Sequence, residues 1–308
     1  MSTGATVLGV LGGTRFAPLE LGPATLSGCL YALGCHRLAR TSRAVPGWRQ
    51  VSFYAGLVLI AGTLTSPLGR LADELFWPHM AEHLLLADVG GLLLVLGLTG
   101  PLLAPVLRIG WVDRLRALSH PLVALPLWAA DFFLWHIPYF HEAAVRHDAT
   151  HAIQHLCFIT FGANMWMALF GPFPKPAWFG NGWQCGYILG VRMLGAILGN
   201  VFLFGGHAFY GVYRAGELKH GISPDADQNA AGAIMMVWES VLTLLLFGWV
   251  FLQAARESIE RQELMELAAA RGVELTPERA RRAVAAGRGA ELRARVEAGA
   301  PPAPRKPE

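Results

Sequence analysis

Apolar stretches long enough to cross a bilayer recur about seven times along this 308-residue chain, near 19–36, 49–66, 79–99, 121–140, 151–171, 186–210 and 230–254. In lipid, a stretch of roughly 17 to 25 residues satisfies all its backbone groups only as a helix. The pattern predicts an all-α, polytopic membrane protein, a seven-transmembrane-helix bundle. Composition agrees: 54% hydrophobic residues against 15% charged, with a mean hydropathy of +0.40, leave too little polar surface for a soluble globule of this size. Residues 1–18 read as an N-terminal segment, 19–255 as the transmembrane domain and 256–308 as a charged, helical cytoplasmic tail with a Pro-rich end. The run Ala5–Gly13 is short, follows no basic residue and has no small-residue cleavage motif, so a cleaved signal peptide is not expected.

Lys and Arg are retained on the cytoplasmic side during insertion. The first loop carries Arg37, Arg40, Arg43 and Arg49, the third Arg108, Arg114 and Arg116, and the last helix runs into Arg256 and Arg261. Alternate loops are sparser, with Arg70, then Arg146, then Arg214 and Lys219. The N-terminus is therefore expected outside and the C-terminus in the cytoplasm.

On that topology nine of the eleven histidines fall at the outer face, His36 and His120 being the exceptions. Two helical H-x-x-x-H pairs stand out, His79/His83 and His151/His155, each opening an apolar span. Residues four apart share one helix face, roughly 6 Å apart along the axis, so two such helices side by side can present four nitrogens to one cation. At this His frequency random placement gives about 0.4 such pairs, whereas the chain holds three, counting His147/His151. That excess favours a metal site over histidines that merely cap helices or bond to headgroups.

The expected metal ligands are His79, His83, His151 and His155, with His136 as a fifth ligand or behind them. Weaker candidates are His207, Met80, Glu82, and Asp227, which opens the seventh helix and is placed to orient an imidazole by accepting its second N–H. Imidazole suits copper, zinc, iron and nickel, and a thioether such as Met80 favours Cu(I). The four cysteines, Cys29, Cys35, Cys157 and Cys185, form no C-x-x-C pair. Asp88, Asp131, Glu239 and Arg192 lie inside apolar spans, where Arg192 is expected to pair with one of the three acids. No hydrolase signature, phosphate loop or H-E-x-x-H occurs, so no enzyme is expected, and nothing points to nucleic acid.

Several motifs occur in a particular order: Ser66-Pro67-Leu68; His79-Met80-x-x-His83 before a Leu-rich helix ending at Gly97 and Pro101; His120-Pro121; Trp135-His136-x-Pro138; His151-x-x-Gln154-His155; Trp166; and Asp227-Gln228 with Gly232 and Trp238. Over roughly residues 20–255 the chain resembles the seven-helix CtaG-type cytochrome c oxidase assembly proteins of bacterial plasma membranes. It departs from their pattern at Glu82, usually Gln, and at Gly90-Gly91, where prolines are common. The resemblance implies a multi-pass protein of the bacterial plasma (inner) membrane that supports assembly of an aa3-like oxidase by helping copper reach it. Oxidase subunits, a soluble copper donor and the lipid bilayer are then its partners. The same name covers a cysteine-based, singly anchored copper chaperone, whose paired cysteines this chain lacks. The competing expectations are a haem-binding redox protein, with one axial imidazole from each helix, and a metal-free scaffold for oxidase subunits. Zinc is the other metal alternative.

Overall fold

Proline and its neighbours set many of the helix boundaries, and those boundaries aim the histidines. The computed structural model describes residues 18–299; the expectations for Ala5–Gly13 and for the Pro-rich end lie outside the described residues. The chain divides into two units, Met1–Thr243 and Leu244–Glu308. Among the described residues every regular element is helical.

The first unit opens with α1 (Pro18–Leu38) and α2 (Gly47–Thr65). Ser66 then caps the short α3 (Pro67–Ala72), its hydroxyl accepting the Leu68 N–H at 3.2 Å with Pro67 in the first helical position. The next span is continuous from Phe76 to Gly97 but changes pitch: α4 (Phe76–Leu84), a π-helical turn (Leu85–Gly90), and α5 (Gly91–Gly97). Two short helices, α6 (Gly100–Leu107) and α7 (Gly110–Leu115), lead to α8 (Pro121–His136).

The chain then bends. The expected straight fourth span, 121–140, is instead α8 and α9 (Pro138–Arg146) meeting at 71°. Ile137 before the proline takes an extended conformation, as residues preceding proline favour, and Pro138 starts a new helix. His141, expected in a loop, therefore sits on a helix. After α10 (Asp148–Phe170) and α11 (Asn181–Phe204), α12 (Arg214–His220) ends at Gly221, whose φ of +66° is the left-handed cap. The last long helix, α13 (Pro224–Ala270), continues without a break through the expected boundary at 255.

In the first unit, α2 packs on α5, and α10 lies against α5, α8 and α9, with α1 beside α2 and α10. Arg49 reaches across from α2 to donate to the Leu96 and Leu98 carbonyls that α5 leaves at its end. Gly232 on α13 marks a close approach, since a Cβ there would stand 2.7 Å from the Gly199 carbonyl oxygen of α11 and 2.8 Å from the Leu203 nitrogen. Gly232→Ala is expected to cost about 1–3 kcal/mol through forced backbone separation. The unfolding midpoint in detergent checks this; an unchanged midpoint would mean that the two helices pair more loosely.

Four helical stretches are long and apolar enough to cross a membrane, Phe76–Gly97, α10, α11 and α13, and the bent pair α8–α9 makes a fifth. Polar residues at their ends, Glu20, His36 and Arg37 in α1 and Arg49 and Gln50 in α2, dilute the hydropathy of the first two helices. Both nonetheless expose apolar faces, Leu26, Leu30 and Leu33 on α1 and Val51 and Val58 on α2. Outward apolar side chains of this extent have no place on a water-facing monomer, and the protein has membrane character.

The second unit closes its own small core. Leu264 and Ala268 pack with Leu275, Ala280 and Val284 of α14 (Pro277–Ala285) and with Leu292 and Val296 of α15 (Gly289–Glu297). Thr276 occupies the N-cap position of α14, with Pro277 as its first helical residue.

Candidate metal centre

Asp227 begins the site by holding the start of α4. Its two carboxylate oxygens accept the backbone N–H groups of Phe76 and Trp77 at 2.8 and 2.9 Å, satisfying donors that a helix start leaves free. It thus anchors the histidine-bearing helix itself, rather than an imidazole. From that start His79, Glu82 and His83 fall on the inward face, with His79 and Glu82 fully buried. Gly69 of α3 makes room for them, since a Cβ there would lie 3.1 Å from a Glu82 carboxylate oxygen.

Opposite, α10 presents His151, Gln154 and His155, all 1% exposed or less. The His79 and His151 rings stack at 5.1 Å with planes 7° apart, and His83 lies 5.5 Å from His155 between centroids. One ligand atom each from His79, His83 and His151 lies within 4.8 Å of the others, and the same holds for Glu82, His151 and His155. Ligands at about 2.1 Å around a tetrahedral ion stand about 3.4 Å apart, so a modest inward turn of the rings suffices. His151 belongs to both trios.

Hydrogen bonds fix which nitrogens face inward. His79 Nδ1 lies 3.2 Å from the Ala72 carbonyl oxygen, which can only accept, so Nδ1 carries the proton and Nε2 is left with a lone pair. That Nε2, both nitrogens of His83 and both amide atoms of Gln154 are buried without a hydrogen-bond partner. Buried polar atoms cost about 1–3 kcal/mol each when unsatisfied, so such a cluster is a place where a ligand would be stabilised. Imidazoles with one carboxylate fit a borderline cation such as copper or zinc. Carboxylates stand behind the imidazoles: Asp73 is 3.8 Å from His151 Nδ1 and Glu20 is 3.7 Å from His155 Nδ1.

His136 reaches the edge of this cluster. Its Nδ1 donates to the Phe132 carbonyl at 2.6 Å, and its Nε2 lies 3.4 Å from Met80 Sδ. Met80 therefore faces His136, away from the two trios, as its angular offset from His79 requires. His141 is the residue that sequence reasoning missed: fully buried, 4.8 Å from His79 between rings, with Nε2 2.8 Å from the Tyr213 hydroxyl. His207 is exposed and meets Phe209 edge to face, and His147 is exposed at the start of α10; neither joins the cluster. Cys157 is part-buried and belongs to neither trio.

Two of the three acids inside apolar spans find partners elsewhere, whereas one carboxylate oxygen of Asp131 is buried without a hydrogen bond. Arg192 pairs with Glu239 at 2.8 Å, the expected ion pair, and Asp88 accepts the Trp238 indole N–H at 2.8 Å.

Beside the site, Glu74 pins α12, taking Lys219 and His220 on its two oxygens at 2.6 Å each. Gly216 fits against it, since a Cβ there would lie 1.9 Å from the Glu74 carbonyl oxygen. The Lys219 hydrogen bond, aided by His220 and opposed by burial, holds the Glu74 carboxyl below its ordinary 4.5. A depressed carboxyl stabilises the fold above its unfolded value and loses that contribution as pH falls through the folded one. The unfolding midpoint is expected to drop below about pH 4.5 in wild type, and Glu74→Gln flattens that part of the profile; parallel profiles would contradict the linkage.

Apolar spanning helices with a buried cluster of imidazoles and carboxylates define an all-helical membrane protein with the donor set of a metal-handling site. The description "Cytochrome c oxidase caa3 assembly factor (Caa3_CtaG)" belongs to the family whose model matches residues 29–257, and the chain is a member of that family. Among curated proteins it is 24% identical over 274 residues to an uncharacterized protein of Mycobacterium leprae (strain TN), covering 79% of this chain and 40% of that one. Uncharacterized proteins of Mycobacterium bovis and Mycobacterium tuberculosis are each 25% identical over 256 residues, 74% of this chain and 37% of theirs. The chain thus spans about two fifths of the curated relatives' length. No solved structure matches it.

Proposed function

We propose that this protein supports assembly of a caa3-type cytochrome c oxidase by binding copper in the His79–His83–His151–His155 cluster, with Glu82, and passing it towards the oxidase. Copper is cargo in this reading, and the protein is not an enzyme. The observation that carries it is the inward, unprotonated Nε2 of His79 beside the partnerless nitrogens of His83. Neutral imidazoles suit a site that must release its ion as well as hold it. Ring centroids 4.2–5.5 Å apart favour one small cation over a haem, whose macrocycle needs a slot between its axial imidazoles.

The same reading takes α1 and α2 as spans, giving seven in the bacterial plasma membrane, with the N-terminus and the cluster at the outer face and the charged tail 256–308 in the cytoplasm. Oxidase subunits receive the copper, and a soluble donor supplies it. The test is complementation of a strain lacking the gene. Wild type is expected to restore oxidase copper and activity, and the His79→Ala/His83→Ala/His151→Ala/His155→Ala protein to restore neither despite normal membrane levels. Full restoration by that variant would leave the scaffold reading instead.

A further inference from the structure

A groove of about 430 Å3 runs between α1 and α10, walled by apolar side chains such as Leu19, Pro23, Ala24 and Ile153. The ionisable residues lining it are Glu20 and His155. His155 therefore belongs to both the groove and the metal cluster. Its two nitrogens look to different sides: Nδ1 lies 3.7 Å from Glu20 Oε1, and Nε2 lies 3.6 Å from Glu82 Oε2, within the Glu82–His151–His155 trio. His151 then connects that trio to His79 and His83. The residues form a chain of donors from Glu20 to the innermost imidazoles.

We propose that a divalent cation enters the cluster sideways through this groove, captured by Glu20 with His155 and relayed through Glu82 and His151 to His79 and His83. This rests on the copper reading of the cluster and adds to it a route and an entry residue. The charge order supports the direction. Two carboxylates flank His155, Glu20 on the groove side and Glu82 beyond it, and they neutralise an incoming dication, whereas the inner trio of imidazoles offers neutral donors. Low-dielectric walls around Glu20 concentrate its field along the groove, which raises capture rates. Each step is ligand exchange: a carboxylate or imidazole leaves as the next binds, and the cation keeps its charge. Because both trios use His151, they are successive positions for one ion rather than two sites filled together.

The test uses the full chain in detergent, stripped of metal and mixed with Cu(II), with uptake followed against a chromophoric chelator. Glu20→Gln removes the entry charge, and Ala24→Trp narrows the groove from a residue that touches no ligand. Both are expected to slow copper loading by about tenfold or more. Ala24→Trp should reach the same final copper per chain as wild type, and Glu20→Asp should recover part of the rate. Ala24→Trp decides the matter if Glu20→Gln fails to fold, judged by its unfolding midpoint. Copper uptake at the wild-type rate by the folded variants overturns the relay alone. A wild-type protein that takes up no copper overturns the cluster reading and the relay with it.

Discussion

Replacing His79 and His151 together with alanine is expected to weaken copper binding by at least about 10²-fold, because disturbing the residues that merely orient ligands already costs 10–100-fold. These two rings stack across the interface between α4 and α10, and the pair touches both donor trios, since His151 is common to them. Removing them leaves His83 with no second imidazole in its trio and leaves Glu82 and His155 as an incomplete pair. The effect on folding is smaller and mixed. Truncating two buried rings opens a cavity, but it also removes His79 Nε2, a buried polar atom without a hydrogen-bond partner. Chelator competition on purified protein measures the affinity, with the unfolding midpoint as control. His207→Ala, at an exposed ring outside the cluster, should leave the affinity unchanged. Equal copper affinity in wild type and the double variant would remove the cluster as the site.

Asp227→Ala should produce the largest loss of stability. The change strips two acceptors from the Phe76 and Trp77 N–H groups at the start of α4. Each unsatisfied donor costs about 1–3 kcal/mol, so the expected total for the two is about 2–6 kcal/mol, or a midpoint lower by roughly 10 °C. Asp227→Asn keeps one acceptor oxygen but not the charge that favours a helix N-terminus, so it should lose about half as much. Copper affinity should fall as well, because the first turn of α4 aims His79. A midpoint unchanged in both variants would mean that the helix start is held by something other than this carboxylate.

The two histidine pairs are legible in the chain because i,i+4 spacing defines a helix face without knowledge of the fold. That they meet is legible as well, since successive spans run in opposite directions and bring certain ends together. His141 is harder, because the bend after His136 turns an expected loop into helix. Its signal is nevertheless present: Pro138 sits where a proline begins a helix, and His141 follows three residues on. Glu20, Asp73 and Tyr213 come to the site across long sequence separations, and no local periodicity announces such contacts. Asp227 is visible as an acid at the start of a helix, but the helix it caps is α4, 150 residues earlier in the chain, as its bond to Trp77 records. The π-helical turn is likewise silent in the apolar pattern, which reads Leu85–Gly90 as ordinary span. The count of spans is read from apolar length, and for α1 and α2 it is blurred by their polar ends.

If the buried imidazoles hold copper, the metal content of protein purified from membranes reveals it: copper, zinc and iron per chain are compared between wild type and the folded His79→Ala/His83→Ala/His151→Ala/His155→Ala variant. About one copper per wild-type chain is expected, as befits two trios sharing one histidine, and none in the variant. Absence of copper from both proteins, or iron with a haem spectrum, would contradict it.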